Sequence, residues 1–194
     1  MNKSGLRALI AFSFGLILAL SPALTSGVAF AQQTLKERVA GMWRLLSWES
    51  VRSNGEVVNV WMGAHPTGTI MYLPNGYMAV QIMADPRPTF ADNPATASSA
   101  SDEFRSAYWG YYAYWGTYTI NDAGDGVVHN VLASERPNEV GIKYPRSVSI
   151  EGKKLVITTP TYKAGALLPQ DMLDRVHLRG DEDLFNRLTW ERVE

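Results

Sequence analysis

Gly41-Met42-Trp43-Arg44-Leu45-Leu46-Ser47-Trp48-Glu49 and Leu188-Thr189-Trp190-Glu191-Arg192-Val193 decide the fold. Each is a short strand-like run, and each carries a Trp and an Arg. Many short strands lie between them. First and last strands this aromatic are expected to pair, and that pairing closes a sheet into a barrel. A closed small barrel has an inside, and an inside can hold a small molecule.

The intervening chain supports this reading. Trp43 to Arg52 turns at Ser53-Asn54-Gly55, and Val57 to Trp61 follows. After the turn His65-Pro66-Thr67-Gly68, Thr69 to Leu73 and Tyr77 to Met83 flank Pro74-Asn75-Gly76. An Asn-Gly between two apolar runs is a strong hairpin signal. Further strands are expected over Tyr112–Ile120, Val127–Ser134, Gly141–Ile150, Lys154–Thr161, roughly Met172–Leu178, and Phe185–Val193. No βαβ pattern appears. The expected architecture is all-β: a closed antiparallel barrel of about 8–10 strands, by the hairpin-spacing rule. Gln33 to Ala40 reads as a helical lead-in. Residues 85–101, rich in Pro, Ala, Ser and Asp, read as a long loop. Ser99 caps a short helix from Asp102 to about Tyr111 in this reading.

The N-terminus has the form of a signal peptide. Lys3 and Arg7 form a basic start, and Leu9 to Leu20 is apolar and uncharged. Ser21-Pro22 breaks the run, and Ala29-Phe30-Ala31 fits a cleavage site before Gln32. The run is short for a spanning helix. The expectation is a cleaved segment over 1–31, a single domain over 32–194, and a periplasmic or secreted bacterial product. Without Lys3 and Arg7, 16 basic residues face 19 acidic ones, a net charge of −3. With no basic patch, nucleic acid is not an expected partner. The chain has no Cys, which removes disulfides, thiol nucleophiles and thiolate metal sites. Three scattered His give no metal spacing. No cofactor and no metal are expected.

The chain resembles the bacterial and fungal lipocalin-like domain family of the calycin superfamily. Gly41-x-Trp43 near the start and Arg192 near the end match the calycin signature, in which the Trp closes the barrel bottom and the Arg packs across it. Trp190 lies in the same closing segment. His65-Pro66-Thr67-Gly68, Tyr72-x-Pro74-Asn75-Gly76-Tyr77, Tyr112-Ala113-Tyr114-Trp115-Gly116-Thr117-Tyr118 and Val128-His129-Asn130-Val131 match the narrower family. The resemblance implies a barrel with an internal cavity, and it implies no reaction.

Alternate strand residues share a face. In Gly141–Ile150, Ile142, Tyr144, Arg146, Val148 and Ile150 lie on one face, and Lys143, Ser147 and Ser149 on the other. The apolar face points inward and carries Arg146 with it. A buried guanidinium needs an acid or a ligand anion. The choice is a ligand carboxylate, as in fatty-acid-binding barrels, an internal Glu such as Glu49, or a place for the Arg at the barrel mouth. His129 stands among Val127 and Val131 as a wall residue or an acid/base. Tyr112, Tyr114 and Tyr118 flank Gly116, a gap suited to a flat ligand or a plain aromatic core. Tyr72 and Tyr144 join them as candidate wall residues. The expected function is an exported binder of a small apolar or amphipathic molecule, with a carboxylate as one option. The rival is an isomerase, cyclase or hydrolase using His129 as acid/base and Arg146 as anion stabiliser. An outer-membrane barrel is disfavoured because the outer faces carry Lys143, Ser147, Ser149, Arg187 and Glu191.

Overall fold

A computed structural model describes residues 33–58, 61–91 and 101–194. The cleaved segment assigned to 1–31, the Ser99 cap and residues 92–100 of the long loop lie outside the described residues.

The chain opens on α1 (Leu35–Val39). Thr34 caps it, because its hydroxyl accepts from the Glu37 N–H while the Glu37 carboxylate accepts from the Thr34 N–H. The strands are β1 (Gly41–Arg52), β2 (Val57–Val58), β3 (Thr67–Tyr72), β4 (Tyr77–Met83), β5 (Tyr111–Ile120), β6 (Gly126–Ser134), β7 (Lys143–Glu151), β8 (Lys154–Thr158), β9 (Tyr162–Lys163) and β10 (Asp183–Arg192). All their pairings are antiparallel, and β1 pairs with β10 along nearly its whole length. The ring β1-β3-β4-β5-β6-β7-β8-β10 therefore closes as eight strands, with β2 and β9 as short additions. Helix α2 (Ser101–Trp109) lies between β4 and β5.

The two ends of the barrel differ. Tight turns after β3, β5 and β7 and the helix α1 sit at one end. The long connections 84–110, 135–142 and 159–182 sit at the other. At the first end Trp43 and Trp190 are both buried, and Trp43 donates its indole N–H to the Val39 carbonyl at 2.8 Å. Arg192 lies over the Trp43 ring at 4.1 Å and donates to the carbonyls of Ala40 and Arg38. Gly41 is a requirement of this packing. It has a φ of +130°, and a Cβ there would stand 2.6 Å from a guanidinium nitrogen of Arg192. The Gly-x-Trp and the late Arg are thus one physical unit that seals the barrel floor.

Bulges set which side chains face in. A register shift between Leu45 and Ser47 inserts one residue into β1, leaving Leu46 exposed. Strict alternation from Trp43 and Leu45 would turn Ser47 and Glu49 inward. The bulge instead turns Trp48 and Ser50 inward. Glu49 thereby pairs on the outside with Arg187 at 2.7 Å, which corrects its reading as an internal partner for Arg146. A second bulge lies at Trp115/Gly116. A Cβ on Gly116 would stand 1.9 Å from the Asn130 carbonyl oxygen. Gly116 is needed for a backbone approach and does not open a gap in the aromatic wall.

Three other expectations change. Met172–Leu178 is not a strand: its apolar positions Met172, Leu173 and Val176 have helical spacing, and α4 (Gln170–Arg175) follows α3 (Ala164–Leu167). Asp171 and Arg175 pair across one turn at 3.4 Å, and His177 with a φ of 53° ends the run. Leu173 anchors a small second core with Ala164, Leu168, Leu178 and Leu184. β8 stops at Thr158, before Pro160, which lacks an N–H for the ladder. Ile142 lies in the turn before β7 and is exposed, so the inward face of that strand starts at Tyr144.

Candidate functional site

The long-loop end of the barrel keeps a cavity of about 250 Å³. Trp48, Trp61, Tyr112, Tyr114, Tyr144 and Trp190 form much of its wall, with Ile82 and Leu188 among the aliphatic residues. Each arrives by a local rule already described: Trp48 through the β1 bulge, Tyr112 and Tyr114 as alternate residues of β5, Tyr144 as the first inward residue of β7. Trp61 follows β2 and is fixed by donating its indole N–H to the Trp109 carbonyl at 3.0 Å. Its ring lies 5.1 Å from Trp48 and 5.5 Å from Tyr112. Benzene, with six heavy atoms, fills a cavity of about 150 Å³, so this volume takes a molecule of roughly ten to twelve heavy atoms.

His129 forms the polar floor. It is 1% exposed, and each ring nitrogen meets a tyrosine hydroxyl at 2.7 Å: Nε2 faces Tyr72 and Nδ1 faces Tyr114. A neutral imidazole has one donor and one acceptor, so one tyrosine donates to it and the other accepts. Burial, and then the nearby Arg146 cation, push the His129 pKa down to about 3. Burial also pushes Tyr114 up to about 12 and holds Tyr72 well above the ordinary phenol value. The three residues are a neutral hydrogen-bonded chain at neutral pH.

Five of the candidate wall residues named from the sequence meet at this cavity: His129, Arg146, Tyr112, Tyr114 and Tyr144. Arg146 faces inward from β7, stacks on Tyr144 at 4.8 Å, and donates to the carbonyl of its neighbour Pro145 at 2.9 Å. It has no carboxylate partner among the described residues. Tyr72 and Tyr118 do not reach the cavity. Tyr72 stands behind His129, and Tyr118 packs on Tyr72 at 4.9 Å while donating to the Leu73 carbonyl at 3.0 Å. His65 and His177 are exposed. Among the described residues no group of three His, Asp or Glu side chains forms a metal cage, and no helix is long and apolar enough to cross a membrane.

Sequence reasoning missed three polar wall residues. Arg136 precedes the turn Pro137–Glu139 between β6 and β7, Glu139 ends it, and both line the cavity. Their linear context reads only as a turn. Asn186 is buried on β10, where its Oδ1 accepts from Ser50 and from Tyr162, each at 2.9 Å. Its place on the inward face follows from alternation with Leu188 and Trp190, a signal present in the sequence.

A family model described as a lipocalin-like domain matches residues 40–193, from the residue before β1 to the residue after β10. No curated protein matches the chain.

Proposed function

We propose that this chain, which belongs to the lipocalin-like domain family, binds a compact amphipathic molecule bearing one negative charge. The observation that carries this is the charge on an otherwise aromatic and aliphatic wall. Arg136 has Glu139 at 3.7 Å and the Glu135 carboxylate nearby behind the wall, His129 is neutral, and Arg146 alone of the lining cations has no carboxylate partner among the described residues. Arg146 is half-buried on the cavity wall, and a cation partly withdrawn from water with no carboxylate partner favours a counter-charge there. Arg146 supplies the anchor, because Arg136 and Glu139 pair with each other. The volume favours rings or short chains over a long acyl tail.

The enzyme reading has less support. A general base needs a nitrogen within reach of the substrate and a pKa near the working pH. Both nitrogens of His129 are taken by tyrosines, and its pKa lies near 3.

Arg146→Leu tests the anchor. With cinnamate and its neutral isostere cinnamamide as probes, the parent binds cinnamate more tightly, and the variant loses that preference by tenfold or more. Cinnamamide binds both proteins alike. Unfolding free energy holds or rises, since an unpaired charge is replaced by an apolar group. A variant of unchanged preference and lower stability would show that Arg146 serves the fold. We also propose that the protein is exported after cleavage of residues 1–31. N-terminal sequencing of the product is expected to begin at Gln32, and a retained Met1 would refute it.

A further inference from the structure

We propose that Arg136 is a second recognition point in the cavity, and that it reads a neutral oxygen acceptor at the far end of the ligand from its acidic group. The inference rests on the binding function proposed above and narrows the ligand class to a short aromatic or cyclic acid carrying a carbonyl.

The geometry of Arg136 leaves one edge of its guanidinium without a protein hydrogen bond among the described residues. The ion lies over Trp61 at 4.2 Å, Tyr112 at 4.9 Å and Trp109 at 5.2 Å, so rings fix its plane. Nη1 faces Glu139 Oε1 at 3.7 Å. Glu139 is itself held, because its Oε2 accepts from Tyr112 at 3.1 Å and from Ser134 at 2.9 Å. That leaves Nε and Nη2, both buried and both without a protein partner among the described residues. These two nitrogens share one edge and form a two-donor fork. Glu135, the adjacent carboxylate, is not part of the cavity wall and makes no ion pair with Arg136 among the described residues.

Charge then decides what the fork takes. Arg136 is already balanced by Glu139, so its unbonded edge offers hydrogen-bond donors without a net charge to neutralise. Arg146 has the reverse character: a charge without a carboxylate. The two arginines stack on Tyr112 and Tyr144, which flank Tyr114 at 5.5 and 6.0 Å, so they face one cavity across that ring. The indole N–H groups of Trp48 and Trp190 are also buried on this wall without a protein partner. The unfilled groups of the lining residues are donors, which favours a ligand rich in acceptors. The buried Glu135 oxygens beside Arg136, outside the lining, also lack a protein hydrogen-bond partner among the described residues. A monoanion with a carbonyl or hydroxyl at its other end meets both arginines. A dicarboxylate would leave an excess negative charge beside Glu139.

The test uses 4-acetylbenzoate and 4-isopropylbenzoate, which differ by one carbonyl oxygen in place of a methyl group. By calorimetry the parent is expected to bind the acetyl compound at least tenfold more tightly. Terephthalate, with a second charge, is expected to bind more weakly than 4-acetylbenzoate. Arg136→Lys keeps the ion pair with Glu139 but loses the fork, and should bring the acetyl preference below about threefold while 4-isopropylbenzoate binds as before. The double variant Arg136→Met with Glu139→Gln removes the pair together and should give the same loss. Equal affinities of the parent for the two benzoates would overturn the proposal without any variant, and so would a preference that survives Arg136→Lys. Failure of the parent to bind either benzoate at millimolar concentration would instead remove the binding function itself.

Discussion

Trp43→Ala is expected to lower the unfolding free energy by about 3–5 kcal/mol, the range for removing a large aromatic side chain from a packed interior. The indole is fully buried, donates to the Val39 carbonyl, and carries the Arg192 guanidinium on its face. Truncation therefore removes a hydrogen bond, a cation–ring contact and a large apolar volume together. It also leaves Arg192 to hold α1 through the Ala40 and Arg38 carbonyls alone. Because Trp43 is at the sealed end, away from the long-loop cavity, affinity for a cavity ligand should change little in whatever fraction stays folded. Urea unfolding checks the first claim, and a loss below roughly 1 kcal/mol would mean that Trp43 does not plug the floor.

His129→Leu is expected to destabilise by about 2–5 kcal/mol, because it leaves two buried tyrosine hydroxyls without a partner. The parent itself should lose stability as pH falls. The folded-state pKa of about 3 lies below the unfolded value, so the unfolded chain takes up a proton first. The stability that His129 contributes is present in full above pH ~6.5 and declines below it, at a slope approaching 1.4 kcal/mol per pH unit, until pH ~3. Between pH 6.5 and 5 this gives a loss of about 2 kcal/mol, ahead of most carboxylate titration. His129→Gln keeps a donor and an acceptor between the tyrosines, yet removes the titrating group. Its unfolding free energy should be flatter over that interval, and identical slopes for parent and variant would contradict a buried neutral imidazole.

The closure of the barrel was legible because it rests on patterns that are local in sequence. Asn75-Gly76 marks a hairpin, and the Trp and Arg of each terminal run lie in strands that pair. Strand alternation likewise placed Arg146, Tyr144, Tyr114 and His129 on the inner face. Alternation failed where a bulge intervened: one inserted residue at Leu46 moved Trp48 in and Glu49 out, and nothing in the linear pattern marks it. Met172–Leu178 reads as strand, and α4 covers Gln170–Arg175 instead, because a short apolar run does not separate the two periods well. Arg136 was invisible for a different reason. Its role depends on Trp61 after β2, Trp109 at the end of α2 and Tyr112 at the start of β5, which meet only in the folded barrel.

In the proposed function the barrel holds one small acid at a time in its long-loop cavity. Native mass spectrometry of the protein from its source compartment tests it most directly. A single adduct per chain is expected, releasable as an organic acid of roughly ten to twelve heavy atoms, and absent from the Arg146→Leu variant. A chain that arrives empty and takes up no acid from a mixture of aromatic and short-chain carboxylates would contradict it, as would an adduct that Arg146→Leu retains in full.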